Sequence, residues 1–275
     1  MAKTFLITGV SSGFGRALAE AALSDGHAVV GTVRSHSDKQ NFAALGPRAH
    51  AVILDVTETE AIAPAVADIE SRIGSIDVLV NNAGYGHEGI LEESSIDDLR
   101  RQFEVNVFGA VAMIQAVLPF MRNRRAGHIL NITSMGGIMT LPGLSYYHGS
   151  KFALEGISES LGKEVRELGI KVIAVEPGGF RTDWAGRSMV RAARSIGDYD
   201  AVIEPIRKRR MDMSGKQVGD PVKAAQAMLK VAMSAEPPAH LLLGSDAVRL
   251  VDEKIASLQA ELAAWRSVSL STDVT

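Results

Sequence analysis

Tyr147 and Lys151 stand four residues apart, with Ser134 thirteen positions before the tyrosine and Asn106 further upstream. On a helix, positions i and i+4 share a face, so the phenol and the ammonium act on one spot. A tyrosine titrates near pH ~10, too high to trade protons readily at neutrality. A nearby ammonium stabilises the phenolate and brings that pKa toward the operating range. Such a pair is suited to giving a proton to a carbonyl oxygen or taking one from a hydroxyl. Tyr146 is the rival base, but its i+4 partner is Ser150, one residue out of phase with the lysine. Taken singly, each residue has a duller use: Ser134 ends a strand, Asn106 caps or kinks its helix, and Lys151 is a solvated helix residue.

A second chemical feature lies near the start, Thr8-Gly9-Val10-Ser11-Ser12-Gly13-Phe14-Gly15, between an apolar run and a helical pattern. Gly9 allows a tight turn, Gly13 lets backbone N–H groups approach a pyrophosphate, and Gly15 permits close packing of helix on strand. The helix N-terminus then offers unpaired donors to phosphate. About 20 residues on, where an acidic residue would accept bonds from a ribose 2′-hydroxyl, stand Val33 and Arg34. Arg34 either offers its planar fork to a 2′-phosphate, favouring NADP(H) with NAD(H) possible, or begins a solvated loop.

These residues need elements to hold them. Thr4–Thr8, Ala28–Val33, His50–Leu54, Asp77–Val80, His128–Ile132, Lys171–Val175 and His240–Leu243 are short Val/Ile/Leu-rich runs with little alternation. That pattern predicts strands covered on both faces. Between them, Phe14–Ser24, Glu58–Arg72, Ile96–Met121, Tyr146–Leu168 and Val222–Met233 predict helices, and Asp246–Trp265 is amphipathic, with Val248, Val251, Ile255, Leu258 and Leu262 on one side. The expectation is an α/β fold: one doubly wound, Rossmann-like parallel sheet over residues 1–275 with helices on both faces. Residues 180–219 are too long for an ordinary connection and emerge beyond the carboxyl ends of the strands, where ligands bind such sheets, so they are expected to form a substrate lid.

Composition narrows the function. Among 275 residues there is no cysteine, which excludes disulfides, thiolate metal sites and cysteine nucleophiles. A net charge of -3 gives no pull toward nucleic acid or anionic membrane. The start at Met1–Val10 resembles neither a signal peptide nor an anchor, and no apolar stretch approaches the ~18 residues that span a bilayer. A cytoplasmic protein is expected, with no nucleic-acid or membrane partner.

Asn81-Asn82-Ala83-Gly84 follows the fourth strand, Ser134 the fifth, and Pro177-Gly178 the sixth. Together with the glycine loop, Asn106 and Tyr147-His148-Gly149-Ser150-Lys151, these resemble the short-chain dehydrogenase/reductase family, in order, from about Lys3 to Leu243. More loosely, the stretch around Asn81–Glu93 and the helix after Tyr147 resemble members acting on hydroxysteroids, retinoids or unassigned carbonyls.

The resemblance implies an alcohol/carbonyl oxidoreductase of the CH–OH class, with Asn106, Ser134, Tyr147 and Lys151 catalytic. Tyr147 would be the acid/base and also touch the cofactor, Ser134 would bond the substrate oxygen, Lys151 would bind the nicotinamide ribose, and Asn106 would hold a relaying water. Cofactor contacts would come from Gly9, Ser11, Ser12, Gly13, Phe14, Gly15 and Arg34, and from Asp55 beside Val56 at the adenine. Asn82, Ala83 and Gly84 would line the adenosine ribose, while Pro177, Gly178 and Thr182 would meet the nicotinamide. No metal is implied, because hydride transfer belongs to the cofactor. A homodimer or homotetramer is implied. Ser12 departs from the basic residue of many NADP-preferring relatives, which leaves the 2′-phosphate to Arg34. Two competitors are a non-catalytic dinucleotide-binding regulator and a sugar-nucleotide epimerase or dehydratase; the latter usually carries a larger carboxyl-terminal domain.

Arg207-Lys208-Arg209-Arg210 is expected to be a solvated lid face. The glycosylation pattern at Asn131-Ile132-Thr133 is discarded as a buried strand. The histidines show no metal-ligand spacing, and His148 faces either pocket or sheet. Trp184, Met189, Val190, Tyr199, Met211 and Met213, with Tyr85, Met135, Leu141 and Leu144, either line an apolar pocket or cover the core and a subunit contact.

Overall fold

The computed structural model describes residues 2–186 and 188–274. Met1, residue 187 within the expected lid, and Thr275 lie outside the described residues. Seven parallel strands form one sheet: β1 (Thr4–Ile7), β2 (Ala28–Val33), β3 (Ala49–Ile53), β4 (Val78–Asn81), β6 (Gly127–Ile132), β7 (Ile170–Pro177) and β9 (His240–Leu243), in the order β3-β2-β1-β4-β6-β7-β9. A short second sheet pairs β5 (Gly86–Glu88) with β8 (Met189–Arg191). The expected doubly wound α/β fold is therefore present, with its topological switch between β2 and β4, on either side of β1. Crevices form there because the chain leaves neighbouring strands in opposite directions.

Alternate residues of each strand feed two cores. Phe5 and Ile7 of β1 join α1 (Gly13–Ser24) and α8 (Pro221–Ala232) through Leu18, Ala22, Ala225 and Met228. Leu6 turns to the other face, against Ile62 and Val66 of α3 (Thr59–Arg72) and Leu161 of α6 (Ser145–Val165). Burial on both faces is why the strands read as continuous apolar runs.

Three elements depart from the expected pattern. An unforeseen helix, α2 (His36–Ala43), is polar except for Phe42, which is fully buried; Ser35 caps it by accepting from Asp38 N at 3.1 Å. The single helix expected at Ile96–Met121 is α4 (Ile96–Phe103), a π-helical turn at Glu104–Phe108, and α5 (Gly109–Arg124). This helical run, Ile96–Arg124, is long and apolar enough to cross a membrane by length and composition, contrary to the expectation that no stretch approaches that size. Its apolar face, Met113, Ile114, Val117 and Met121, is built into the second core.

The third departure is residues 180–219, which are not a structureless loop. They contain β8 and α7 (Asp200–Asp212), and their ends are tied where Phe180 bridges Gly219. The final helix, α9 (Ser245–Leu270), is longer than expected.

Candidate active site

The glycine loop follows β1. Gly9 and Gly13 adopt φ of 72° and 61°, a left-handed backbone that side chains disfavour. Thr8 staples the loop to the end of β4: its Oγ1 accepts from both Asn82 N and Ala83 N at 2.9 Å. In return, Asn82 Nδ2 donates to Thr8 O at 2.8 Å and to Gly9 O at 3.0 Å. A Cβ on Gly15 would collide with that same amide and with Gly9 O, so Gly15 packs under the loop and does not line the cavity. The Ser12 side chain makes no capping bond at the start of α1, leaving that helix end open to the cavity.

That cavity, about 1200 Å³, runs from the loop past Arg34 and Asp55 to Tyr147. Ser11, Ser12, Gly13 and Phe14 line one end, with Val56, Asn82, Ala83 and Gly84 along its course. Ser134, Lys151, Pro177, Gly178 and Thr182 surround the other end. Arg34 is exposed at the end of β2. Asp55 Oδ1 accepts from Thr57 N at 3.0 Å and Thr57 Oγ1 at 2.9 Å, which fixes the carboxylate at the rim.

Tyr147 and Lys151 lie on the first turns of α6, both buried. Lys151 Nζ donates to Ile132 O at 2.8 Å and sits 5.8 Å from the Tyr147 ring centre. Burial pushes the Tyr147 phenol up to about 12, against a lowering by the Ser134 hydroxyl beside it. Burial pulls the Lys151 ammonium down to about 8, partly offset by Glu155. The lowering of the phenol expected from the i, i+4 spacing is not found: the net shift is upward, because removal from water disfavours either charge. Tyr146 is occupied elsewhere: its hydroxyl donates to Ser94 O at 2.9 Å and its ring stacks on His87.

Asn106 does not line the cavity. Held by the π-helical turn, it is almost fully buried. Its Oδ1 accepts from Tyr85 N, and its Nδ2 donates to Tyr85 O and Ser150 Oγ, all at 3.1 Å. The side chain thus clamps the segment after β4 onto α6, one residue from Lys151. π turns recur at functional sites because the extra residue re-aims a side chain.

Of the further groups that hold the site, only His148 was singled out in the sequence, and it lines the cavity. His148 spans the loop after β6, with Nδ1 donating to Gly136 O at 2.7 Å while Nε2 accepts from Leu141 N at 2.9 Å. Those bonds define its tautomer, and burial lowers its pKa. Asp246, at the start of α9, accepts from Gly179 N at 2.7 Å and closes on Gly178, where a Cβ would collide with it. Behind Lys151, Glu155, Glu176 and His240 bring their ligand atoms within 4.8 Å of one another, a grouping that spacing along the chain did not reveal. Burial raises Glu155 to about 7, helped by Glu176. Burial also raises Glu176. For His240, burial lowers the pKa, but the bond to Glu176 at 2.7 Å outweighs it and the net shift is upward.

Part of the segment after β7 lines the Tyr147 end of the cavity. Trp184 stands 5.1 Å from the Tyr147 ring, and Met189 packs with Leu144 and Tyr147. Val190, Met213, Tyr85, Met135 and Leu141 line the cavity. Tyr199 instead bonds Glu92, and Met211 is exposed. The basic run is not simply solvated. Arg207 Nε meets the buried Glu88 at 2.9 Å and Arg210 grips its other oxygen, while Lys208 and Arg209 remain exposed.

Comparison with known proteins agrees with this arrangement. Residues 3–191 match the family described as short chain dehydrogenase. The chain is 40% identical over 274 residues to oxidoreductase BOA17 of Botryotinia fuckeliana, covering 99% of this chain and 100% of that one. It is 37% identical to the 3-ketodihydrosphingosine reductase of Bacteroides thetaiotaomicron, over 87% of each. A short-chain dehydrogenase structure from Streptomyces avermitilis superposes with TM-score 0.92 at 41% identity, covering 100% of this chain and 99% of that one. The closed form of a serine dehydrogenase complexed with NADP+ superposes with TM-score 0.75 at 26% identity, covering 87% and 94%. With its glycine loop, its parallel sheet and the buried Tyr147–Lys151 pair at the cavity's end, this chain belongs to the short-chain dehydrogenase/reductase family of oxidoreductases.

Proposed function

We propose that the protein interconverts an alcohol and a carbonyl on an apolar substrate, using NADP(H), with Tyr147 as general acid/base. The observation that carries this is the single cavity joining the open start of α1 and Arg34 at one end to Tyr147 and Lys151 at the other. The residues present fit a dinucleotide. The uncapped N–H groups of α1 suit a pyrophosphate, and the exposed Arg34 guanidinium suits a 2′-phosphate. The relative complexed with NADP+ points the same way. When bound, the cofactor supplies or accepts the hydride.

The chain's own residues supply position and the proton. Ser134 Oγ and the Tyr147 hydroxyl hold the substrate oxygen, and Tyr147 gives its proton to that oxygen in reduction or removes one in oxidation. Burial favours the neutral phenol, so the proton that reduction consumes is on the Tyr147 hydroxyl at neutral pH. Lys151, pinned to Ile132 O, keeps a positive charge beside the ring as negative charge develops there. Trp184 and Leu144 exclude water, and the apolar lining suits a hydrophobic ketone. The reductase relative, named for a keto substrate, is consistent with that class. A non-catalytic regulator would have no use for a buried tyrosine–lysine pair on the cavity wall.

The test is the change in nicotinamide absorbance with purified protein, NADPH and NADH in parallel, against ketones, aldehydes and quinones of increasing apolar size. Turnover with NADPH that vanishes in Tyr147→Phe supports the proposal. Tight NADPH binding without turnover across the panel, unchanged in the variant, would replace it with the regulator.

A further inference from the structure

The base of α9 is built into the domain. Ala247 and Val251 are buried, and Asp246 holds the backbone after β7. From Asp252 onward every described residue is exposed, so the helix leaves the body for about 28 Å at 1.5 Å per residue. A lone helix of that length is marginal in water unless something covers its apolar face. This one has a face to cover: Ile255, Leu258, Leu262 and Trp265 are all exposed, Leu262 at 61% and Trp265 at 66%.

The spacing of that face says what kind of surface fits it. Val248, Val251, Ile255, Leu258, Leu262 and Trp265 follow one another at intervals of three, four, three, four and three residues. A 3,4 alternation is the narrow seam of a two-helix coiled coil and asks for another helix with the same repeat. The flanking charges identify that helix. Lys254 precedes Ile255 and Glu261 precedes Leu262, both beside the seam. When two copies of α9 run antiparallel, Ile255 faces Leu258 of the second copy, and Lys254 of each lies beside Glu261 of the other. Among the described residues Lys254 makes no ion pair within its own chain. In the same register Trp265 comes over the exposed Val248 of the opposite helix, while Val251 is 3% exposed and already covered by its own domain. The exposed part of the helix balances Asp252, Glu253 and Glu261 against Lys254 and Arg266. It therefore lacks the Lys/Arg-rich polar face of a helix lying on an anionic membrane.

We infer that α9 is a self-association element that pairs antiparallel with α9 of a second copy of this chain through the Ile255–Leu258–Leu262–Trp265 seam. The pairing is isologous and closes on itself as a two-fold dimer.

The chain has no cysteine, which makes a direct test clean. Ile255→Cys and Leu258→Cys proteins of different tagged mass are mixed under mild oxidation, with Ser257→Cys, on the outer side, as control. The expected product is the mixed disulfide joining position 255 of one protein to position 258 of the other, with little of either homodimer and none from the control. Light-scattering mass is then read for the full chain and for Leu258→Asp/Leu262→Asp. Both sites are exposed, so the variant keeps its circular dichroism and cofactor affinity, and its mass should fall twofold. Homodisulfides from each single variant would overturn the antiparallel register. An unchanged mass with no cross-link would overturn self-association altogether. Co-sedimentation with phosphatidylcholine/phosphatidylserine vesicles that the double variant loses, at unchanged mass, would replace it with a membrane surface.

Discussion

One wall of the cavity is made of strand ends and the start of α6, the other of the segment that crosses from β7 to α8. At and behind the first wall, the buried polar side chains are held by backbone groups: Lys151 by Ile132 O, Asn106 by both polar groups of Tyr85, and His148 by Gly136 and Leu141. On the second, charges add to the β5–β8 ladder and the Phe180–Gly219 bridge. Arg207 and Arg210 close on Glu88, while Arg194 pairs with Glu93, Asp200 and Glu204. Of the backbone partners, Ile132 belongs to the sheet, while Tyr85, Gly136 and Leu141 lie in the segments that leave its strand ends. The pairs of Arg194 with the exposed Asp200 and Glu204 form and release readily, whereas those around the buried Glu88 hold firmly. The contrast is between a wall anchored by backbone groups and a segment tied in large part by charges, which we propose acts as a substrate lid.

The largest expected effect lies on the backbone-anchored wall. Tyr147→Phe removes one hydroxyl and should lower kcat by roughly 10³-fold, within the usual range for a general acid/base, while NADPH affinity by fluorescence titration stays within about twofold. A comparable loss of affinity would mean that Tyr147 serves binding and that the wall is not specialised for chemistry.

The next effect is on the lid. Glu88 is 1% exposed, so Glu88→Gln leaves Arg207 and Arg210 around a neutral amide and should cost roughly 3 kcal/mol in urea unfolding. Proteolysis between Asp183 and Asp212 should quicken, and KM should rise more than kcat falls. Equal loss of kcat and kcat/KM would show the lid to be part of the chemical wall after all.

How far these walls were legible in the sequence follows the same division. The seven strands of the main sheet and α6 read correctly because double-sided burial and an i, i+4 pair leave local signatures, whereas the three-residue β5 and β8 were missed. The glycine loop did too, since Gly9 must tolerate positive φ. By contrast, α2 was missed because only Phe42 of its eight residues is buried, so it has no apolar period. The π turn was invisible because one inserted residue barely disturbs a helical pattern, yet it moves Asn106 behind the wall. The Glu88 cage and the Glu155–Glu176–His240 group join residues far apart in the chain, and only the topology brings them together.

A smaller effect tests the cofactor end, where the group concerned is exposed and no wall holds it. Arg34→Ala should weaken NADPH roughly 10- to 100-fold, the worth of a charge-assisted contact, and leave NADH nearly unchanged. Equal loss for both coenzymes would place Arg34 at the shared adenosine and leave the preference for the 2′-phosphate without a residue to carry it.

The smallest effect separates the reactive pair from the charges behind it. Glu155 titrates near 7 in the folded protein, against 4.5 for an ordinary glutamate. Below about 4.5 its carboxyl is protonated in folded and unfolded chains alike. Between there and about 7 the unfolded chain has released a proton that the folded chain keeps, so stability falls as pH rises through this window and levels off above it. The slope should stay below the full ~1.4 kcal/mol per pH unit, because Glu176 and His240 share the change. Glu155→Gln cannot titrate, so its stability should run flatter over the same window, as followed by urea midpoints from pH 4.5 to 7.5. Lys151 has its own window from about 8 to 10.5, where the unfolded chain holds a proton that the folded one gives up, so stability rises with pH. The two windows do not overlap, and one variant therefore reports on both. Removing the Glu155 charge also removes a group that raises the Lys151 pKa, so the alkaline limb of kcat/KM should move to lower pH in Glu155→Gln. A flattened stability slope with an unmoved alkaline limb would mean that the group behind the wall is structural and does not reach the chemistry.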